Sequence, residues 1–301
     1  MKSNIFVWKS CSIRFCVIFV LFCFLCICSI PGQDEESNRR IVSLSPNITE
    51  ILDTLGLDSQ IVGITEHCHI ESLKKTKTSI GTFYSPNYEL IMTLNPGLII
   101  GLESQKVSLD KLHTLLPKST IVTVRNEPIA MMLESIKTIG RATGTATRAN
   151  DLVTSLTSAI EGYRTKSRGF KIKPRVLCVV DHSPNSLQQI YAVGRSTYMN
   201  ELLDIVGAEN VVSVSTPQYP IISRESIISF NPDIILDTAV GDDATTESLL
   251  RIRNIWNDLP RVDAVKNNRV FVIKEKFLTI PAPRSIQQSL ALLYDLIYPN
   301  T

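Results

Sequence analysis

From Ile41 to the end of the chain, short apolar runs bounded by Gly, Pro, Asn and Ser alternate with amphipathic stretches. That alternation predicts strands exchanging with helices, the signature of parallel sheets. Strands are expected at Ile41–Leu44, Ile61–Ile64, Gly97–Gly101 and Thr120–Val124. Helices are expected from the Ser45–Glu50 turn to Gly56, after Tyr84, over Ser108–Leu115 and over Glu127–Gly140. In the first of these turns Thr49 or Asn47 offers a side-chain cap, and Glu50 stands near the positive end of its helix. A long loop is expected between Ile64 and Tyr84. Thr145–Arg168 reads as one longer helix with Ala149, Leu152, Val153, Leu156, Ala159, Ile160 and Tyr163 on a single stripe; about 24 residues at 1.5 Å each span roughly 36 Å. Gly169 and Pro174 end it. A second series follows, with strands Arg175–Val180, Asn210–Val214, Asp233–Thr238 and Arg269–Ile273, and helices Thr197–Val206, Ser223–Phe230, Thr246–Trp256 and Ser285–Tyr298.

The two series repeat one another. Ser85–Ile100 (SPNYELIMTLNPGLII) and Ile221–Leu236 (IISRESIISFNPDIIL) each run from a turn through one glutamate and a short helix to Asn-Pro and an apolar strand. Glu89 and Glu225, Asn95 and Asn231, Pro96 and Pro232 keep one constant spacing. A second echo aligns Thr49–Leu57 with Asn200–Ala208, setting Glu50 and Gly56 against Glu201 and Gly207. A third relates the strands after Arg40 and Arg175. Repetition in the same order implies two lobes of like topology, and the gap between lobes is where ligands bind. The fold class expected is α/β: an N-terminal lobe over 40–144, a linking backbone helix over 145–169 and a C-terminal lobe over 170–301. A single helical link makes large hinge closure unexpected.

The composition of the 301 residues, 44% hydrophobic and 20% charged, is that of a globular protein. Residues 1–30 differ. Lys2, Lys9 and Arg14 precede the apolar run Phe15–Ile30, with no acidic residue among them, which is the build of an export signal; a retained membrane anchor is the alternative. A tether over 31–39 follows. Five of the seven cysteines lie in that leader, leaving Cys68 and Cys178 beyond it, so disulfides are not expected to hold the fold. Cys28 occupies a lipidation position, with the bulky Ile27 before it. Without the leader's three cations the remainder is nearly neutral, which gives no footprint for nucleic acid.

Enzyme signatures are missing: the chain has no GxSxG, HExxH, GxxxxGK[ST] or GxGxxG. Asp181, His182 and Ser183 are adjacent, which is the wrong geometry for a triad. No enzymatic activity is expected.

The chain resembles the helical-backbone periplasmic substrate-binding proteins of ABC importers for vitamin B12 and iron chelates, the cobalamin-binding members above all. The likeness runs from Arg39 to about Tyr298 and rests on RIVSLSPNITEILDTLG, IVGITEHCHI, YELIMTLNPGLII, ISRESIISFNPDIIL, NELLDIVGAENV and PAPRSIQQSLALL, in that order. It implies two Rossmann-like lobes joined by the long helix. It also implies an exported protein, periplasmic or anchored outside the cytoplasmic membrane, that acts as a monomer with a separate permease and ATPase and has no intrinsic cofactor. By position Glu89 and Glu225 match the glutamates with which each lobe docks on permease arginines; as N-terminal carboxylates they also suit their own helices.

For a flat corrinoid or chelate the expected grip is aromatic, and loops expected at the cleft supply Phe83, Tyr84, Tyr191, Tyr219 and Phe277. Phe83, Tyr191, Tyr219 and Phe277 match aromatic contacts of the cobalamin pattern. The sequence departs from that pattern at Glu66-His67-Cys68-His69, Leu102 and Lys276, so an iron chelate or haem stands beside cobalamin as the ligand. His67, Cys68 and His69 suit a metal by ligand type. His67 and His69 would converge in an extended loop with Cys68 turned inward; the readings left open are a bare metal site, one histidine contact to a bound ligand, or a solvated loop. Arg195 offers contact to an anionic group. An enzyme or assembly protein of the nitrogenase-like type shares the lobe topology but would bring more cysteines.

Overall fold

The computed structural model describes residues 40–183, 185–240 and 245–299, with the backbone alone at Lys276. The leader, the tether and Cys28 lie outside the described residues. The N-terminal lobe runs β1 (Ile41–Ser43), α1 (Pro46–Thr54), β2 (Ile61–Ile64), α2 (Glu71–Thr76), β3 (Thr78–Ser79), α3 (Tyr88–Thr93), β4 (Leu98–Leu102), α4 (Lys106–Leu115), β5 (Thr120–Val124) and α5 (Ile129–Ala142). Its strands are all parallel in the order β3-β2-β1-β4-β5. The order reverses at β1, which opens a crevice at the carboxyl ends of β1 and β4. The long loop expected before Tyr84 instead holds α2 and β3. Leu73 is buried there, and Glu71 and Lys74 with Lys75 complement the two ends of the short helix.

Helix α6 (Ala146–Ser167) then crosses to the second lobe. There follow β6 (Arg175–Asp181), β7 (Ile190–Ala192), α7 (Tyr198–Ile205), β8 (Glu209–Asn210), β9 (Ile221–Ile222), α8 (Arg224–Phe230), β10 (Ile234–Asp237), α9 (Thr246–Ile255), α10 (Asp263–Lys266), β11 (Val270–Val272) and α11 (Pro283–Ile297). The sheet order is β11-β10-β6-β7-β9, with β8 also on β6. The strands expected here, β6, β8, β10 and β11, pair in parallel; β7 and β9, not expected from the sequence, add an antiparallel edge, β7 to β6 and β9 to β7. The strand expected over Asn210–Val214 stops at Asn210. Its side-chain amide donates to Val193 O (2.8 Å) and its side-chain oxygen accepts from Val212 N (3.0 Å), bonds that bend the chain away from the ladder.

The duplication extends to backbone angles. Asn95 and Asn231 both sit in the left-handed region, at φ 43° and 41°, and end α3 and α8 before their prolines; asparagine is the side-chain-bearing residue best suited to that place. Gly56 and Gly207 match at 72° and 74°. At each of these glycines the long helix makes close contact. Arg148, near one end of α6, donates to Leu55 O (2.6 Å), and Ser167, at the other end, to Ile205 O (3.3 Å). A β-carbon on Gly56 would lie 2.6 Å from the Arg148 guanidinium, and one on Gly207 2.6 Å from Ser167 Cβ. The rod is therefore bolted to equivalent corners of the two lobes.

Ala149, Val153, Leu156 and Ile160 of α6 are buried in one apolar core that includes Ile48 and Leu52 of the first lobe and Leu202, Leu203 and Leu290 of the second. Smaller cores, around Leu109 and around Trp256, close the outer faces of the two sheets. Helix α1 corrects a further expectation. Its N-cap is Ser45, which makes no side-chain capping bond, and Thr49 donates to Ser43 and Ser45 instead. Glu50 is buried past the first turn of α1, pointed at another helix.

Candidate ligand cleft and docking edge

Because the first sheet is parallel, the loops after its strands gather at one edge. That edge carries His67 after β2, Phe83 and Tyr84 after β3, and Glu127 after β5. Phe83 is half-buried against the core, and its carbonyl accepts from Gln105 Nε2 (2.9 Å), which also donates to Leu44 O. Gln105 thereby ties the Phe83 loop to the end of β1. Tyr84 is 89% exposed and stands edge-on to Phe83, with ring centroids 4.9 Å apart. A tyrosine held in water by a rigid neighbour is a ready stacking surface.

In the second lobe Tyr191 lies on β7 opposite Asp181 and is half-buried. Tyr219 is 43% exposed just before β9. Partial burial raises its phenol above its ordinary value, and the nearby Glu127 carboxylate of the other lobe adds to the shift. Glu127 is raised by burial, against bonds from the Tyr198 backbone and the Gln218 side chain. Tyr219 and Glu127 thus mark where the two lobes face each other. Phe277 sits in the turn before α11, half-buried, its carbonyl accepting from Ser289. The helix expected over Glu127–Gly140 would include Glu127. Helix α5 begins two residues later, and Glu127's place just past a strand's carboxyl end was the available signal.

His67 and His69 do not converge. His67 is exposed, Cys68 is buried, and His69 Nε2 is 2.6 Å from Glu50 Oε2. The buried carboxylate captures the second imidazole and turns it away from its neighbour. Among the described residues no group of three or more His, Cys, Asp or Glu is arranged to hold a metal ion. Burial pushes the Cys68 thiol up, further from the thiolate a metal needs. Arg195 lines a separate 230 Å³ cavity with Lys173, Asp204 and Glu209.

Glu89 and Glu225 are both exposed in the first turns of α3 and α8. The elements that present them match: the Asn87 side chain accepts from Leu90 N (3.0 Å), and the Ser223 hydroxyl accepts from Ser226 N (3.2 Å). The Ser223 hydroxyl also lowers the Glu225 carboxyl.

The sequence pattern described as "Periplasmic binding protein" matches residues 41–277. The chain belongs to the periplasmic binding protein family. It is an ABC-transporter substrate-binding protein and not an enzyme. The Bacillus subtilis protein named "Uncharacterized ABC transporter substrate-binding lipoprotein YvrC" is 29% identical over 270 residues, 89% of this chain and 82% of that one. The crystal structure of Staphylococcus aureus IsdE complexed with heme is similar at a TM-score of 0.71 and 27% identity, covering 86% of this chain and 98% of that one. The Vibrio cholerae vitamin B12 binding protein BtuF shares the fold, with a TM-score of 0.71, 20% identity and coverage of 86% and 96%. No helix among the described residues is long and apolar enough to cross a membrane.

Proposed function

We propose that this binding protein is exported, captures a planar metal tetrapyrrole between its lobes, and delivers it to a membrane permease driven by a separate ATPase. The observation that carries this reading is the exposed ring of Tyr84 braced by Phe83 at the carboxyl edge of a parallel sheet, with Tyr219 beside Glu127 where the lobes meet. Haem is the first reading of the ligand: His67 leaves an imidazole exposed on the same edge, and the 27% identical relative is complexed with heme. A corrinoid is the second, favoured by the positions of Phe83, Tyr191, Tyr219 and Phe277. Glu89 and Glu225 dock the lobes on permease arginines. The leader that begins with Lys2, Lys9 and Arg14 directs export, and the relative named a lipoprotein supports attachment at the outer side of the cytoplasmic membrane.

Titration of the purified protein with haem, cyanocobalamin and a ferric siderophore, followed by absorbance, tests the ligand. Saturable haem binding is expected, weakened at least tenfold by Tyr84→Ala with Phe83→Ala, in line with the roughly 1–3 kcal/mol of an aromatic anchor. Binding of cyanocobalamin alone selects the second reading; siderophore alone, or none of the three, removes the tetrapyrrole. Reversal of both docking charges (E89K with E225K) abolishes uptake and leaves affinity unchanged; lost affinity sinks the docking assignment.

A further inference from the structure

Each lobe ends in a helix that lacks a side-chain cap of its own. Helix α5 follows Pro128 and α11 follows Ala282, and neither N-cap makes a side-chain bond to the first amides. In both places a carboxylate from the other lobe supplies it. Glu201 on α7 of the second lobe receives the amide of Ile129, both oxygens at 3.1 Å. Glu50 on α1 of the first lobe receives the amides of Arg284 (2.7 Å) and Ser285 (3.2 Å), the Ser285 hydroxyl (3.0 Å) and, at 2.6 Å, Nε2 of His69. The two glutamates hold matching places in the repeated segments TEILDTLGL and NELLDIVGA. The contact is therefore reciprocal: the first helix of each lobe caps the last helix of the other, through orphan amides that carry the positive end of the helix dipole.

We infer that Glu50 and Glu201 are positioning residues that fix the angle between the lobes and so set the width of the ligand cleft. The rod is bolted to one corner of each lobe, and the apolar core that it shares with both lobes is non-directional. Two further contacts between the lobes are directional and fix that angle, and they bury charge against helix-start amides that their own N-caps leave without a side-chain acceptor. The two ties are unequal. On the Glu50 side the Arg284 guanidinium also pairs with Asp53 (2.6 Å), and His69 adds a fourth contact to the carboxylate. On the Glu201 side one amide is held, with the carboxylates of Glu127 and Asp204 nearby and Arg164 as the facing cation. Burial and those carboxylates raise Glu201, whereas Glu50, despite its burial, is held low by His69 and Ser285. The Glu201 tie is the one that yields first. The inference concerns the lobes and holds whatever the ligand is.

Amide hydrogen exchange and small-angle scattering on the full chain test it with Glu50→Ala, Glu201→Ala and the double variant. Exchange is expected to quicken at least tenfold at Ile129 on loss of Glu201 and at Arg284 and Ser285 on loss of Glu50. The double variant is expected to scatter with a larger radius of gyration while the central strands Ile99–Gly101 and Leu177–Val179 stay protected. Faster exchange confined to the two helix starts, with scattering superimposable on the parent, would overturn the inference: the carboxylates would be caps only. If the double variant loses protection in the central strands as well, Glu201→Gln decides, a widened profile with intact strands supporting the role and an unchanged profile removing it.

Discussion

Strand β4 of the first lobe carries Gly101 where β10 of the second carries Asp237, the same register in two copies of one sheet. In the first lobe the space beside the strand is filled by leucines. A β-carbon on Gly101 would lie 2.7 Å from Leu109 Cδ2 and 3.2 Å from Leu44 Cδ1. In the second lobe the Asp237 carboxylate, fully buried, accepts from Trp256 Nε1 (2.8 Å) and Ala239 N (2.9 Å) and pairs with His182 Nε2 at 3.1 Å. The other ring nitrogen of His182 lies 2.8 Å from Ser183 O. With an acceptor at each nitrogen, the site favours the protonated ring. One topology thus accepts either an apolar plug or a closed polar network, and the network is stable only when whole.

The comparison breaks most severely at Asp237. Asp237→Ala leaves the Trp256 N–H, the Ala239 N–H and His182 Nε2 without their buried partner, and a loss of about 3–5 kcal/mol is expected in chemical denaturation; a loss below about 1 kcal/mol would mean that the network contributes little. Gly101→Ala tests the other lobe. It forces Leu109 to move, and about 1–3 kcal/mol is expected, the range for overpacking.

The smallest effect is that of pH, and it separates the lobes by sign. Burial alone would lower His182, but the bond and charge of Asp237 raise it above its ordinary 6.5. Its contribution is therefore complete below pH 6.5 and is lost as pH rises through the raised value. Glu50 is held below its ordinary 4.5 by His69 and Ser285, against its burial. Its contribution is present above pH 4.5 and lost as pH falls through the lowered value. Thermal melts across pH should show His182→Gln flattening the alkaline side and Glu50→Gln the acid side; the reverse assignment would refute both.

What the sequence made legible is what is encoded locally. Ile61–Ile64 and Thr120–Val124 are strands as expected, the long helix is within a residue of its expected ends, and Asn95 and Asn231 mark equivalent turns because an Asn-Pro after a short helix specifies its own dihedral. What stayed hidden depends on distant partners. Glu50 reads as a charge near the positive end of its own helix until Arg284, 234 positions on, arrives at its side. Strands β7 and β9 carry too few residues to show a period, and their pairing is set by the neighbour they meet. That Tyr84 is the exposed ring and Phe83 its half-buried support could not be read from sequence, since only the fold decides which side of a turn faces water.

The chain passes between the lobes at α6, and each lobe holds its own sheet, its own rim aromatics and its own exposed glutamate. If the rim aromatics and the exposed glutamates hold the proposed roles, cargo preference and transporter preference can drift separately in each half. Hybrids joined within the rod should inherit one half-specificity from each parent, provided the crossed carboxylates still find their helices.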